Sequence, residues 1–174
     1  MLPVLRIIGI VNAALWFGSA LFYIGCVRAE FQSDAMLKLL PPPFAEAAMH
    51  LVLSGYLSLL LICSVIAVLQ LWAEQWYTGR PVFRIRISML LFMVFLAALL
   101  KFGIFPAMKN QHLRAYQPSA IAADAKESMR TYRRLKIGFH CLHLFHIFGA
   151  LSHVWYVSQS KSGYKLLGMH QFRG

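Results

Sequence analysis

Four of the chain's seven histidines, His140, His143, His146 and His153, fall in one apolar stretch near its C-terminal end. At about 100° per residue on a helix, His143, His146 and His153 lie within roughly 80° of one another, and His140 lies roughly 60° further round. A fifth, His50, opens another apolar stretch. Imidazoles at matching depth on two helices supply the axial ligands of a b-type haem, or bind copper with thiolate help. The cofactor candidates are therefore His50 paired with His140 or His143, with Cys26 and Cys141 at a similar level. His140 and His153 stand 13 residues apart, a rise of roughly 20 Å, so one metal cannot take both. The competing reading is that these side chains hydrogen-bond to neighbouring helices or to another subunit, which is what intramembrane polar groups most often do.

The elements that must hold them are membrane spans. Hydrophobic residues make up 59% of the 174 and charged residues 13%, about half the charged share of a soluble domain. Mean hydropathy is +0.61. The apolar residues form four blocks, about 2–27, 47–72, 87–108 and 137–157, and the charges lie almost wholly between them. Each block can cross ~30 Å of hydrocarbon as a helix. The first is too long, and lacks the basic start and cleavage site, of a signal peptide. The predicted fold is all-α: one domain over 1–174, an integral membrane four-helix bundle. Residues Ser119 to Ser158 read as one long extended fourth helix of roughly 60 Å, with Ser119 as its N-cap. Pro41-Pro42-Pro43 predicts an extended turn before the second span, and 159–174 reads as a basic polar tail.

The net charge of +11 borders hydrocarbon spans and has no aromatic stacking platform, so anionic lipid rather than nucleic acid is the expected partner. Lys101 aside, seven basic residues fall on the side of the termini and the second loop, and nine on the side of the first and third loops. That excess points the first and third loops to the cytoplasm. Every Asp and Glu lies outside the four blocks, which argues against a carboxylate proton relay across the membrane. Lys101, seven residues from its block's end, is expected to snorkel to the interface. Asn12, Trp16, Ser19, Tyr23 and Cys26, and on the second span His50, Ser54 and Ser58, form polar stripes expected to face the bundle interior beside Gly9, Ala13, Gly18 and Ala20. No phosphate loop, zinc-protease or nucleophile-elbow motif is present in the sequence.

The run LRIIGIVNAALWFGSALFY, a loop with Phe31, Leu39, Leu40 and the proline cluster, IFPAMKNQHLRAY after the third span, and YRRLKIGFHCLHLF entering the fourth together resemble the four-helix membrane family typified by transmembrane protein 205 and its bacterial relatives. The resemblance covers most of the chain and implies the fold. Against the family pattern, Pro106 is followed by Ala107 rather than Arg, Lys136 stands at the histidine position, and His140 and His143 stand near the Ser and Asn positions. The first span also resembles copper-resistance membrane proteins and haem-binding protoporphyrinogen oxidases, with Arg6 nearest their first-span histidine. The expectation is an accessory or structural subunit of a larger membrane complex, such as a respiratory or photosynthetic assembly, in the bacterial inner membrane. The alternative is a redox protein holding haem b through His50 with His140 or His143.

Overall fold

The computed structural model describes residues 2–78, 84–116 and 122–159. Helix α1 (Leu2–Phe22) passes through a π-helical turn (Tyr23–Val27) into α2 (Arg28–Phe31), and a short α3 (Asp34–Leu39) leads to α4 (Pro42–Thr78). Then α5 (Arg84–Ala98) runs through a second π-helical turn (Leu99–Ile104) into α6 (Phe105–Ala115), and α7 (Ala122–Gln159) is the last element among the described residues. Among the described residues these make four rods long and apolar enough to cross a membrane: Val4–Phe31, Pro42–Tyr77, Arg84–Ala115 and Ala122–Ser158. The protein is a multi-pass, all-α membrane bundle.

Cross-rod contacts fix the topology. Asn12 meets Cys63 while Tyr23 meets Tyr56, so the first two rods run antiparallel. Glu74 faces Arg86 while Ser58 faces Lys101, so the second and third do too. Arg86 meets Tyr156 while His112 meets Tyr132, which sets the fourth against the third. The rods therefore go up, down, up and down, with α7 parallel to α4.

Local chemistry explains where the rods begin and bend. Ser33 caps α3, its hydroxyl accepting from the Met36 amide at 3.2 Å. The proline cluster does not delay the second span: α4 starts at Pro42, with Pro42 and Pro43 in the first turn, where a missing amide costs nothing. Pro106 would break an ordinary helix, but the π-helical turn just before it, with the Phe105 amide bonded to the Leu100 carbonyl, shifts the carbonyl its ring would strike. The fourth helix is as long as expected, 38 residues or roughly 57 Å. The Ser119 cap and the tail 160–174 lie outside the described residues.

The core is tight. Trp16, the tryptophan inside the first block, is fully buried in a core cluster that also holds Leu57, Leu60, Leu90 and Leu100, whereas Trp72, Trp76 and Trp155 are exposed near rod ends, where interfacial rings belong. Ala13 and Ala20 face inward as the small-residue stripe requires, but Gly18 points outward with open space around it. Gly9 and Gly149 are close approaches: a methyl group would overlap the Gln70 side-chain amide at the first and Met93 Sδ and Cε at the second. Replacing Gly149 by Leu is expected to cost about 1–3 kcal/mol through overpacking, whereas Gly18→Leu should leave the melting temperature in detergent nearly unchanged. Equal melting temperatures for the two variants would contradict this packing.

Candidate functional site

The bundle interior holds a ladder of imidazole and aromatic rings, assembled in three rungs. The outermost rung lies where the first and third loops are. Glu46 and His50 are one helical turn apart on α4 and share a face. Glu46 Oε1 accepts from Lys136 Nζ at 2.7 Å, and its Oε2 lies 3.3 Å from His112 Nε2. That second approach is off the ring's N–H direction, so it is a close polar contact rather than a hydrogen bond. The His112 ring packs edge-on to His50, centroids 5.2 Å apart, and against Tyr132 at 5.3 Å. The Tyr132 hydroxyl reaches His50 Nε2 at 3.4 Å.

In the middle rung the Tyr56 hydroxyl and His143 Nε2 are 2.5 Å apart. Tyr23 stacks on Tyr56 with ring centroids 4.4 Å apart and presents its edge to His143. Tyr23 is the first residue of the π-helical turn Tyr23–Val27, and such turns recur where a helix must re-aim a side chain. The deep rung joins Trp16 Nε1–H, a donor only, to His146 Nε2 at 2.9 Å, with the His153 ring 5.8 Å from the indole. Beside it, Asn12 Nδ2 donates to the Cys63 carbonyl at 2.9 Å.

The stripe computed from helical spacing is the stripe observed. His143, His146 and His153 are 3%, 0% and 1% exposed, while His140, turned roughly 60° away, is half-buried. The stripe faces inward, toward α1 and α4. Spare capacity remains: His112 Nε2, His140 Nε2, His146 Nδ1 and His153 Nε2 are buried with no hydrogen-bond partner among the described residues.

The structure does not bring His50 to His140 or His143. His50 meets Tyr132, eight residues before His140 and eleven before His143, an offset of roughly 12–16 Å along α7. Matching depths by where apolar blocks begin fails because both helices start well outside the blocks, at Pro42 and Ala122. Cys26 and Cys141 are exposed and Cys63 is buried. No group of three or more His, Cys, Asp or Glu among the described residues is placed to hold a metal ion. Lys101 does not snorkel: its Nζ donates to Ser58 Oγ at 2.8 Å on the neighbouring helix.

Glu46, Tyr56, His112 and Tyr132 are ladder members that the apolar blocks conceal. A heptad run backwards from His153 through His146 and Phe139 lands on Tyr132, and all four are buried. The Glu46–His50 spacing of four was the other available signal. Comparison with known proteins adds no relative: no family model matches, and neither does any curated protein or solved structure.

What the arrangement does chemically is pair an indole and a phenol with buried imidazoles on a neighbouring helix. Such a pair should show thermodynamic coupling. In a double-mutant cycle of Tyr56→Phe and His143→Leu, measured by unfolding in detergent, the coupling is expected at about 0.6–2 kcal/mol. Additive effects would show that the 2.5 Å contact contributes nothing.

Proposed function

We propose that the chain is an accessory subunit of a larger membrane assembly, such as a respiratory or photosynthetic one, and that it docks through the part of α6 and α7 that rises beyond the bilayer. The observation that carries this is length with charge. Helix α7 spans roughly 57 Å against ~30 Å of hydrocarbon, and its first third has exposed Lys126, Arg130, Arg133 and Arg134 with Arg114 of α6 nearby. Only Asp124 and Glu127 oppose them on that stretch. A basic, rigid, projecting hairpin suits an acidic surface on a neighbouring subunit, where charge complementarity sets orientation and encounter rate. The buried ladder fits the same role, since hydrogen bonds between helices lock the rods in register. Kinship with the family typified by transmembrane protein 205 belongs to this reading and rests on the sequence patterns of the loops and of the first, third and fourth spans.

The alternative, a b-type haem held by His50 with His140 or His143, requires two imidazoles on opposite faces of one macrocycle. The axial offset of roughly 12–16 Å and the hydroxyl contacts already made by His50 and His143 favour the accessory reading. An absorption spectrum of the purified protein before and after dithionite separates them: a Soret band with reduced α and β bands supports haem, and its absence the subunit.

The docking test is co-purification in mild detergent from native membranes. The tagged chain should bring down another membrane protein, and Arg133→Glu with Arg134→Glu should cut its recovery several-fold without lowering the melting temperature. High salt should weaken the complex in the same way. A lone chain in every mild detergent, or unchanged recovery with the charges reversed, would contradict the proposal.

A further inference from the structure

The stripe His50, Ser54, Ser58 on α4 does not close into the bundle interior throughout its length. His50 is buried, Ser58 is half-buried, and Ser54 is exposed at the lipid-facing surface. Opposite it, on the antiparallel third rod, stand Lys101, Phe105, Lys109 and His112. Lys101 pairs with Ser58, which in turn donates to the Ser54 carbonyl at 3.0 Å. Two turns further out the groove widens into a cleft of about 110 Å³ whose lining includes His50, Ser54, Phe105, Lys109 and His112.

That cleft has a definite chemical character. Its inner wall is the pair of buried imidazoles, each 4% exposed. His50 Nε2 lies 3.4 Å from the Tyr132 hydroxyl, which also bonds the Glu46 carboxylate. Ser54 and Lys109 are exposed around the opening, and the lipid-exposed Leu51 and Leu113 flank it. The volume equals about three to four waters, enough for a phosphate-sized group and too small for a large ring system. The cleft lies where the apolar blocks 47–72 and 87–108 end, the level expected for lipid headgroups, and Lys101 with Ser58 lies roughly 12 Å deeper along the rods. Basic pockets between membrane helices on one face are where anionic lipid heads bind.

A second cleft at the same end provides an internal contrast. It measures about 130 Å³, lies between Phe31, Pro42 and Met49, and includes the Glu46 carboxylate and no cation in its lining. Charge therefore selects the α4–α6 cleft over its neighbour for an anion.

We infer that the α4–α6 groove is a binding site for an anionic glycerophospholipid. The phosphate sits against Lys109 and Ser54 at the mouth of the cleft, and the acyl chains run inward from it, past Leu51, along the lipid-facing side of the rods. The lipid would occupy the crevice between two rods that otherwise touch only lightly at this level, and would so fasten α6 to α4.

The test uses the full-length chain, delipidated in a neutral detergent, with thermal unfolding and native mass spectrometry as readouts. Phosphatidylglycerol should raise the melting temperature saturably and stay bound in the gas phase. Phosphatidylcholine should do so more weakly, because its quaternary ammonium meets Lys109. Inorganic phosphate at the same concentrations should do neither. Lys109→Glu should weaken phosphatidylglycerol binding roughly tenfold, and Ser54→Leu should weaken it less. Lys38→Glu, an exposed cation on the same side but outside the groove, should leave it unchanged. Both charge reversals are at exposed positions, so a folding defect does not confound the comparison. Equal loss in Lys38→Glu and Lys109→Glu would reveal only diffuse attraction. An equal shift with inorganic phosphate would reveal a soluble-anion site. Either result, or no binding of phosphatidylglycerol, overturns the inference.

Discussion

A polar side chain in hydrocarbon has no water to fall back on, so it must find its hydrogen-bond partner on another helix. In this protein that constraint is met by the indole of Trp16 donating to His146 at the centre of the bundle. An indole offers one donor and no acceptor, so His146 must present an unprotonated nitrogen, and α1 and α7 must sit in one register for the 2.9 Å contact to form. The rest of the interior obeys that register. With Trp16 opposite His146, Tyr23 falls beside His143 and Asn12 beside Cys63, and α4 is drawn in to supply Tyr56 and the Cys63 carbonyl. Packing then closes over the pairs, with Gly149 admitting Met93 of α5.

The two π-helical turns are the adjustments this geometry demands. An extra residue in the turn Tyr23–Val27 rotates the helix beyond it, so that Cys26 is exposed while Tyr23, which opens the turn, stacks on Tyr56. The turn Leu99–Ile104 does the same for the third rod, aiming Lys101 at Ser58 and accommodating Pro106. Lysine therefore reaches sideways to a hydroxyl in place of stretching to the interface. A nearby acceptor on a packed helix outcompetes the longer route to water, because the stem need not cross a lipid-facing surface to reach it. At the outer end, Glu46 collects Lys136 and His112, tying α4, α6 and α7 together where the bilayer ends.

Much of this was legible from residue types alone. Four apolar blocks separated by charge specify four spans because no other arrangement removes that much hydrocarbon surface from water. The α7 stripe was legible because helical spacing is rigid: His143, His146 and His153 had to share a face, and they do. The partners of that face were not legible. Relative depth between rods depends on where each helix truly begins, and Pro42 and Ala122 start turns before their apolar blocks do. Pro42 precedes its block by five residues and Ala122 by fifteen, and the difference of ten, about 15 Å of helix, is the gap by which His50 misses His140 and His143. The π-helical turns were equally hidden, since nothing in YIGCV or LLKFGI distinguishes an extra residue per turn from an ordinary helix. Glu46 and Tyr132 escaped notice because each lies just beyond an apolar block, where polar residues are the rule.

The central claim is that His143 and His146 of α7 are held within the bundle by rings of α4 and α1. The chain has four tryptophans, so the indole N–H resonances of a nitrogen-15 spectrum in detergent are few enough to assign with a Trp16→Phe variant. The Trp16 N–H is expected to lie downfield of the other three, to exchange slowly with deuterium, and to move upfield and lose protection in His146→Leu. A Trp16 resonance that exchanges as fast as the exposed tryptophans, or that ignores the loss of His146, would contradict the account.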